Sequence, residues 1–270
     1  MTTQITGREF MTHALPTLEV GAHRVESSAL HKERFIGGLN PWVTFESEAA
    51  TTFRNHAFNT LPLLAQRSNS QLRPLTREVY QVGDEHGVQS RFSQNVGHIL
   101  TIIAEDNNLN FRFVDAKSVD LGSLKTPDFL IRNRPLTSIL AVGELKTPWV
   151  LPHSLSRAIS QAAAGKEELI RHILGQIAGY MNEFSLKYGI ISTYEETVFL
   201  RQTVARGRWC LDYSPVVYHG NQYRDNGPRR SPTISTRQGF MHIARLANQG
   251  SVFDRGQSVT RNNRLWTRPR

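Results

Sequence analysis

The sequence is poor in the residues that build several common kinds of site. One cysteine, Cys210, stands in 270 residues. That excludes an intramolecular disulfide and fits a reducing compartment. His13, His23, His31 and His56 fall at no metal-ligand spacing and have no cysteine partner, so they read as surface histidines. No GxGxxG, phosphate loop, repeat or low-complexity tract occurs. No apolar run reaches the roughly 18 residues of a membrane span, and Met1 to Phe10 has no signal-peptide core. The expectation is an intracellular protein without a membrane partner, cytoplasmic or nuclear.

Acidic residues are scarce at one end. Residues 221–270 hold ten arginines (224, 229, 230, 237, 245, 255, 261, 264, 268 and 270) against Asp225 and Asp254. That segment carries +8 of the net +9, leaving +1 for residues 1–220. Arginine forks bidentately onto phosphate and is weakly hydrated, so the segment reads either as a nucleic-acid contact or as a solvated tail. As a contact it inclines the expected location towards the nucleus.

What is present is chemistry on short apolar runs. Thr126-Pro127-Asp128-Phe129-Leu130-Ile131 and Ile139-Leu140-Ala141-Val142-Gly143-Glu144-Leu145-Lys146 each read as a strand, joined by a turn containing Asn133 and Pro135. Pairing of the two would bring Asp128 and Glu144 together, and strand alternation puts Glu144 and Lys146 on one face. Two carboxylates held close repel, and a hard divalent cation relieves that repulsion. With a lysine beside them, the residue types suggest metal-assisted attack of water on a phosphodiester. The bland alternative is a solvated cross-strand charge pair.

Pro127-Asp128 followed by Glu144-x-Lys146 resembles the PD-(D/E)xK motif of restriction-endonuclease-like nucleases. Gln176-Ile177-Ala178-Gly179-Tyr180 resembles the QxxxY motif of their RecB-like branch. The wording around both, including Tyr188-Gly189-Ile190-Ile191-Ser192-Thr193, is similar to uncharacterised fungal proteins of this type. The resemblance spans about residues 85–205.

It implies a restriction-endonuclease-like α/β (α+β) core, a central mixed sheet of four to five strands flanked by helices. The implied activity is that of a Mg²⁺-dependent nuclease, with Mn²⁺ as a substitute, acting on nucleic acid with DNA favoured. Asp128, Glu144 and the backbone carbonyl of Leu145 would hold the metal, and Lys146 would orient or activate the water. Gln176 would bond the water or a phosphate, with Tyr180 stacking or bonding next to it. The family's first core helix often adds an acid: Glu85 is the candidate, with Glu78 and Glu105 as substitutes. Glu85 reads equally well as a residue that complements a helix N-terminus. Many members cut both strands as homodimers. The same fold without catalysis would be a binding or interaction module, in a toxin, effector or mobile-element product.

Around this core, residues 1–72 read as an N-terminal extension or small helical subdomain, with a helix in Glu46 to Leu61. Residues 73–247 form the nuclease-like domain, and 248–270 a flexible Arg-rich tail. Val88, Phe92, Val96, Ile99 and Ile103 mark an amphipathic helix from Asp84. Asn110 to Asp120 reads as the first strand, and Ser154 to Phe184 as helix interrupted near Gly165. Strands follow at Tyr188 to Ser192, Thr197 to Gln202 and Trp209 to Val217, then a helix at Ser235 to Ala247.

Overall fold

The computed structural model describes residues 2–26, 33–67, 78–123, 126–227 and 230–253. The N-terminal part contains β1 (Thr2–Thr6), α1 (Gly7–Thr12), β2 (Glu19–Val20), β3 (Gly38–Pro41), α2 (Phe45–Arg54), β4 (Pro62–Arg67) and β5 (Gln81–Val82). Next come α3 (Glu85–Phe92), a π-helical segment (Ser93–His98), α4 (Ile99–Asp106), β6 (Arg112–Asp115), β7 (Phe129–Arg132) and β8 (Ile139–Leu145). The chain continues with α5 (Leu155–Ala163), α6 (Glu168–Glu183), β9 (Tyr188–Ser192), β10 (Glu196–Ala205), β11 (Arg208–Tyr213), β12 (Val217–Tyr218) and α7 (Thr236–Gln249).

Eight strands form one mixed sheet in the order β3-β11-β10-β9-β8-β7-β6, with β12 beside β10. β6, β7 and β8 are an antiparallel meander, and β8 pairs parallel with β9. A parallel neighbour cannot be reached by a tight turn, and α5 and α6 make the crossover. Strands buried on both faces read as unbroken apolar runs, because successive residues face opposite layers. Phe129, Ile131, Ala141, Ile190 and Phe199 pack with α1, α2, α3, α4 and α7. Leu130, Val142, Ile191, Val198 and Leu200 pack with α5 and α6.

One glycine is fixed by this packing. Gly143 lies opposite Phe129, and a Cβ there would sit 1.9 Å from the Phe129 ring. The ring instead stacks on Phe92 at 4.7 Å. Any side chain at 143 would therefore displace the Phe129 ring from its stack on Phe92.

The α/β class with a mixed sheet between helices is as expected, but the sheet has eight strands rather than four to five. Beyond the central five, β11 matches the strand expected from Trp209, and β12 and β3 are additions. The run Gly38-Leu39-Asn40-Pro41 has no apolar alternation and becomes a strand by pairing parallel with Cys210–Tyr213. From the N-terminal part, Phe10, Met11, Trp42, Phe45 and Phe53 belong to the same core as Phe129 and Phe240. The helix expected in 46–61 spans Phe45–Arg54, and the strand expected over 110–120 is only Arg112–Asp115.

The basic segment is also different. Residues 254–270 and Arg229 lie outside the described residues, and with them six of the ten arginines. Residues 251–253 are tied down, through Lys187 N to the Ser251 carbonyl at 2.7 Å and Phe253 N to the Ser185 carbonyl at 2.8 Å. Arg237 is buried and cannot reach a ligand. It donates to the Asn95 carbonyl at 2.9 and 3.1 Å and to the carbonyls of Phe10 and His13 at 3.3 Å. Among the described residues, no helix is long and apolar enough to cross a membrane.

Candidate active site

The end of the sheet where β8 finishes and β7 begins gathers the charged residues. Asp128 extends the ladder, its N–H donating to the Gly143 carbonyl at 3.1 Å, while its Oδ2 accepts from Leu145 N at 2.6 Å. Glu144 and Lys146 share a face, as alternation requires, and Lys146 Nζ donates to Glu144 Oε1 at 2.5 Å. Lys146 N continues the ladder to the Ser192 carbonyl at 2.9 Å.

α3 approaches from the opposite layer. It is capped by Asp84, whose Oδ1 accepts from Gly87 N at 2.7 Å. One turn further, Gln89 Nε2 donates to the Asp128 carbonyl at 3.0 Å, fixing the helix against the site. Glu85 then lies 3.8 Å from Lys146 Nζ. The substitutes for Glu85 lie elsewhere. Glu78 is in a buried pair with Arg91 at 2.5 Å, and Glu105 pairs with Arg112 on the surface.

Gln176 and Tyr180 of α6 are brought together and bond to each other. Gln176 Nε2 donates to the Tyr180 hydroxyl at 3.0 Å, and that hydroxyl donates to the Thr126 carbonyl at 3.0 Å. The pair therefore anchors the turn two residues before Asp128. Burial pushes the Tyr180 phenol well above its ordinary range, so it remains a proton donor.

The electrostatics are those of an incompletely compensated cluster. Desolvation raises Asp128 to about 6, against the Leu145 N–H and the charges of Lys146 and Lys117. Desolvation, then the nearby Asp128 charge, raises Glu144 to about 8. Burial works to lower Lys146, but the charges of Glu144 and Glu85 outweigh it and raise the lysine. With Asp128 raised to about 6 and Glu144 to about 8, one of the two carboxyls keeps its proton near neutral pH, and a single carboxylate then faces the Lys146 ammonium.

Sequence reasoning missed Gln89, Lys117 and His153. Gln89 is four residues after Glu85, a spacing that shares a helix face, and could have been read. His153 is 3% exposed and bonds Thr147 through Nδ1 at 3.1 Å, and burial lowers it. Nothing local marks it as close to Lys146.

Among the described residues, no three His, Cys, Asp or Glu side chains form a ready-made metal cluster. A site of two carboxylates is nevertheless the donor set Mg²⁺ commonly uses, completed by waters and substrate phosphate oxygens.

No protein-family model and no curated protein matches the chain. Among solved structures, the type IIG restriction endonuclease BpuSI aligns at a TM-score of 0.24 and 12% identity. The alignment covers 62% of this chain and only 17% of that one. A similarity at that level carries no argument about fold or activity.

Proposed function

We propose that this chain is a metal-dependent nuclease of the PD-(D/E)xK type, hydrolysing phosphodiester bonds of nucleic acid, with DNA the first substrate to test. The observation that carries this reading is the convergence of Asp128, Glu144 and Lys146 at one end of β7 and β8. There the two carboxylates are raised to about 6 and about 8. Perturbed acids gathered around one cation are a common mark of a functional site.

Asp128, Glu144 and the Leu145 carbonyl would hold Mg²⁺ or Mn²⁺, with Glu85 the further acid. When bound, the cation would supply Lewis-acid stabilisation of charge on the phosphate oxygens. Lys146, held between Glu144 and Glu85, orients the attacking water and offsets charge as the phosphate is attacked. Gln89 and Tyr180 hold the backbone on either side of Asp128 so that the carboxylates keep their separation. A homodimer would let two such sites cut both strands, and arginines of the C-terminal segment other than Arg237 would add phosphate contacts.

A second reading is favoured by one contact. Lys146 Nζ already occupies Glu144 Oε1 without a metal, which suits a nuclease fold retained as a nucleic-acid-binding or protein-interaction module, including a toxin, effector or mobile-element component. The test is cleavage of supercoiled plasmid, linear duplex and single strands with Mg²⁺, Mn²⁺ or EDTA, using wild type and Lys146→Ala. Metal-dependent cleavage absent from the variant supports the nuclease. Binding without cleavage under any metal supports the module.

A further inference from the structure

A groove of about 670 Å³ runs along β5 and the start of α3, lined by His23, Arg24, Val25, Tyr80, Asp84 and His86 among others. It is joined to the candidate site on two sides. Glu85 sits between Asp84 and His86 and reaches Lys146 at 3.8 Å. Trp149, three residues after Lys146, donates from Nε1 to the carbonyl of the lining residue Val25 at 2.9 Å. The groove's lining is thus tied to the Lys146 region through Glu85 on one side and Trp149 on the other.

The groove also presents apolar surface to solvent. Tyr80 is 58% exposed, with Val25 and Val79 exposed nearby. The Tyr80 ring is held rather than loose. The carboxylate of buried Glu78 accepts from the N–H groups of Val79 and Tyr80 at 2.9 and 3.0 Å through Oε1. Through Oε2 it takes Arg91 Nε at 2.5 Å, and the Arg91 guanidinium lies 5.5 Å from the Tyr80 ring centroid. A buried ion pair thus fixes both the backbone and the ring of an exposed aromatic. A fixed, half-open ring with donor side chains on either side is what a stacked base and its flanking phosphates require.

We propose that this groove binds an unpaired stretch of the substrate nucleic acid, with one base stacked on Tyr80 and phosphates contacted by Arg24, His23 and His86. The proposal rests on the nuclease reading and narrows its substrate to single strands or splayed ends. A paired base in a duplex has no free face to offer an aromatic platform. Arg24 is shared with Glu26 at 3.2 Å, and Asp84 caps α3, so net positive charge in the groove is small. Stacking should therefore outweigh charge in the affinity.

The test is fluorescence anisotropy of a labelled oligothymidylate and of a duplex of equal length, in EDTA so that nothing is cut. It would use wild type, Tyr80→Ala and Tyr80→Phe, each checked for folding by thermal denaturation. Wild type should hold the single strand more tightly than the duplex. Tyr80→Ala should weaken single-strand binding by about 5- to 100-fold, and Tyr80→Phe should restore it. Equal affinity of wild type and Tyr80→Ala, a duplex bound as tightly as the single strand, or no binding at all would overturn the proposal. Cleavage by wild type and Lys146→Ala is scored separately. A Tyr80 effect with no metal-dependent cleavage retires the nuclease reading alone, whereas cleavage with no Tyr80 effect retires the groove alone.

Discussion

Glu78 and Glu144 are both buried, at 4% and 2% exposure, yet they end in opposite states. Burial opposes the charge of each. At Glu78 it is outweighed by the N–H groups of Tyr80 and Val79 and by Arg91 and Asn95, so its carboxyl is held below the usual range. Glu144 has Lys146 but also the Asp128 charge, and it is raised to about 8. The first acid is fully hydrogen-bonded and serves to hold other groups in place. The second is short of positive charge, which is how a site looks when it is shaped for a cation. On the proposed nuclease reading, burial alone does not separate the structural acid from the metal-holding one, whereas the number of donors facing each does.

The strongest way to break the comparison is to remove an acid from each cluster and read two quantities. Asp128→Ala should lower metal-dependent cleavage at least 10³-fold, about 4 kcal/mol of lost transition-state stabilisation, while the protein stays folded. Full activity in that variant would remove Asp128 from the site. Glu78→Ala should act on stability, because it leaves Arg91 buried without its partner. Denaturant unfolding should show a loss of about 3–5 kcal/mol. A loss below about 1 kcal/mol would mean that Glu78 is not held as described.

The pH dependence sharpens the contrast. The folded-state values of Asp128 and Glu144 lie above their ordinary ones, so their contribution to stability is complete in acid and lost as pH rises through about 6 to about 8. In EDTA, unfolding free energy should fall by about 5 kcal/mol between pH 5 and pH 9, and Asp128→Asn should flatten that fall. The smallest expected effect belongs to Tyr180→Phe, which deletes the hydroxyl bond to the Thr126 carbonyl. Stability should drop by about 1 kcal/mol, with cleavage reduced about tenfold through a loosened turn before Asp128.

The two clusters also differ in how far the sequence revealed them. Asp128, Glu144 and Lys146 stand on short apolar strands a hairpin apart, so periodicity and local spacing were enough to expect them on one patch. Glu85 was legible as the start of an amphipathic helix, but its distance to Lys146 depends on how α3 docks through Gln89. The Glu78 cluster gave no such signal. Asn95 bonds the Tyr194 hydroxyl at 2.9 Å across 99 positions, and Arg237 reaches the Asn95 carbonyl across 142. Such partners meet only through tertiary packing, and no local pattern marks them. For the same reason Arg237 read as part of a basic segment when it is a buried clamp on the π-helical turn, and Gly38–Pro41, within the expected N-terminal extension, becomes a strand only because β11 supplies its partner.

The central claim is that the acids at the end of β7 and β8 form a cation site. The direct measurement is calorimetric titration of Mn²⁺ at pH 7 in buffers of different ionisation enthalpy, on wild type and Glu144→Gln. With Glu144 raised to about 8, binding should displace about one proton at pH 7, and the variant should lose both the proton release and most of the affinity. Absence of Mn²⁺ binding, or binding that releases no proton and is unchanged in Glu144→Gln, would contradict the account.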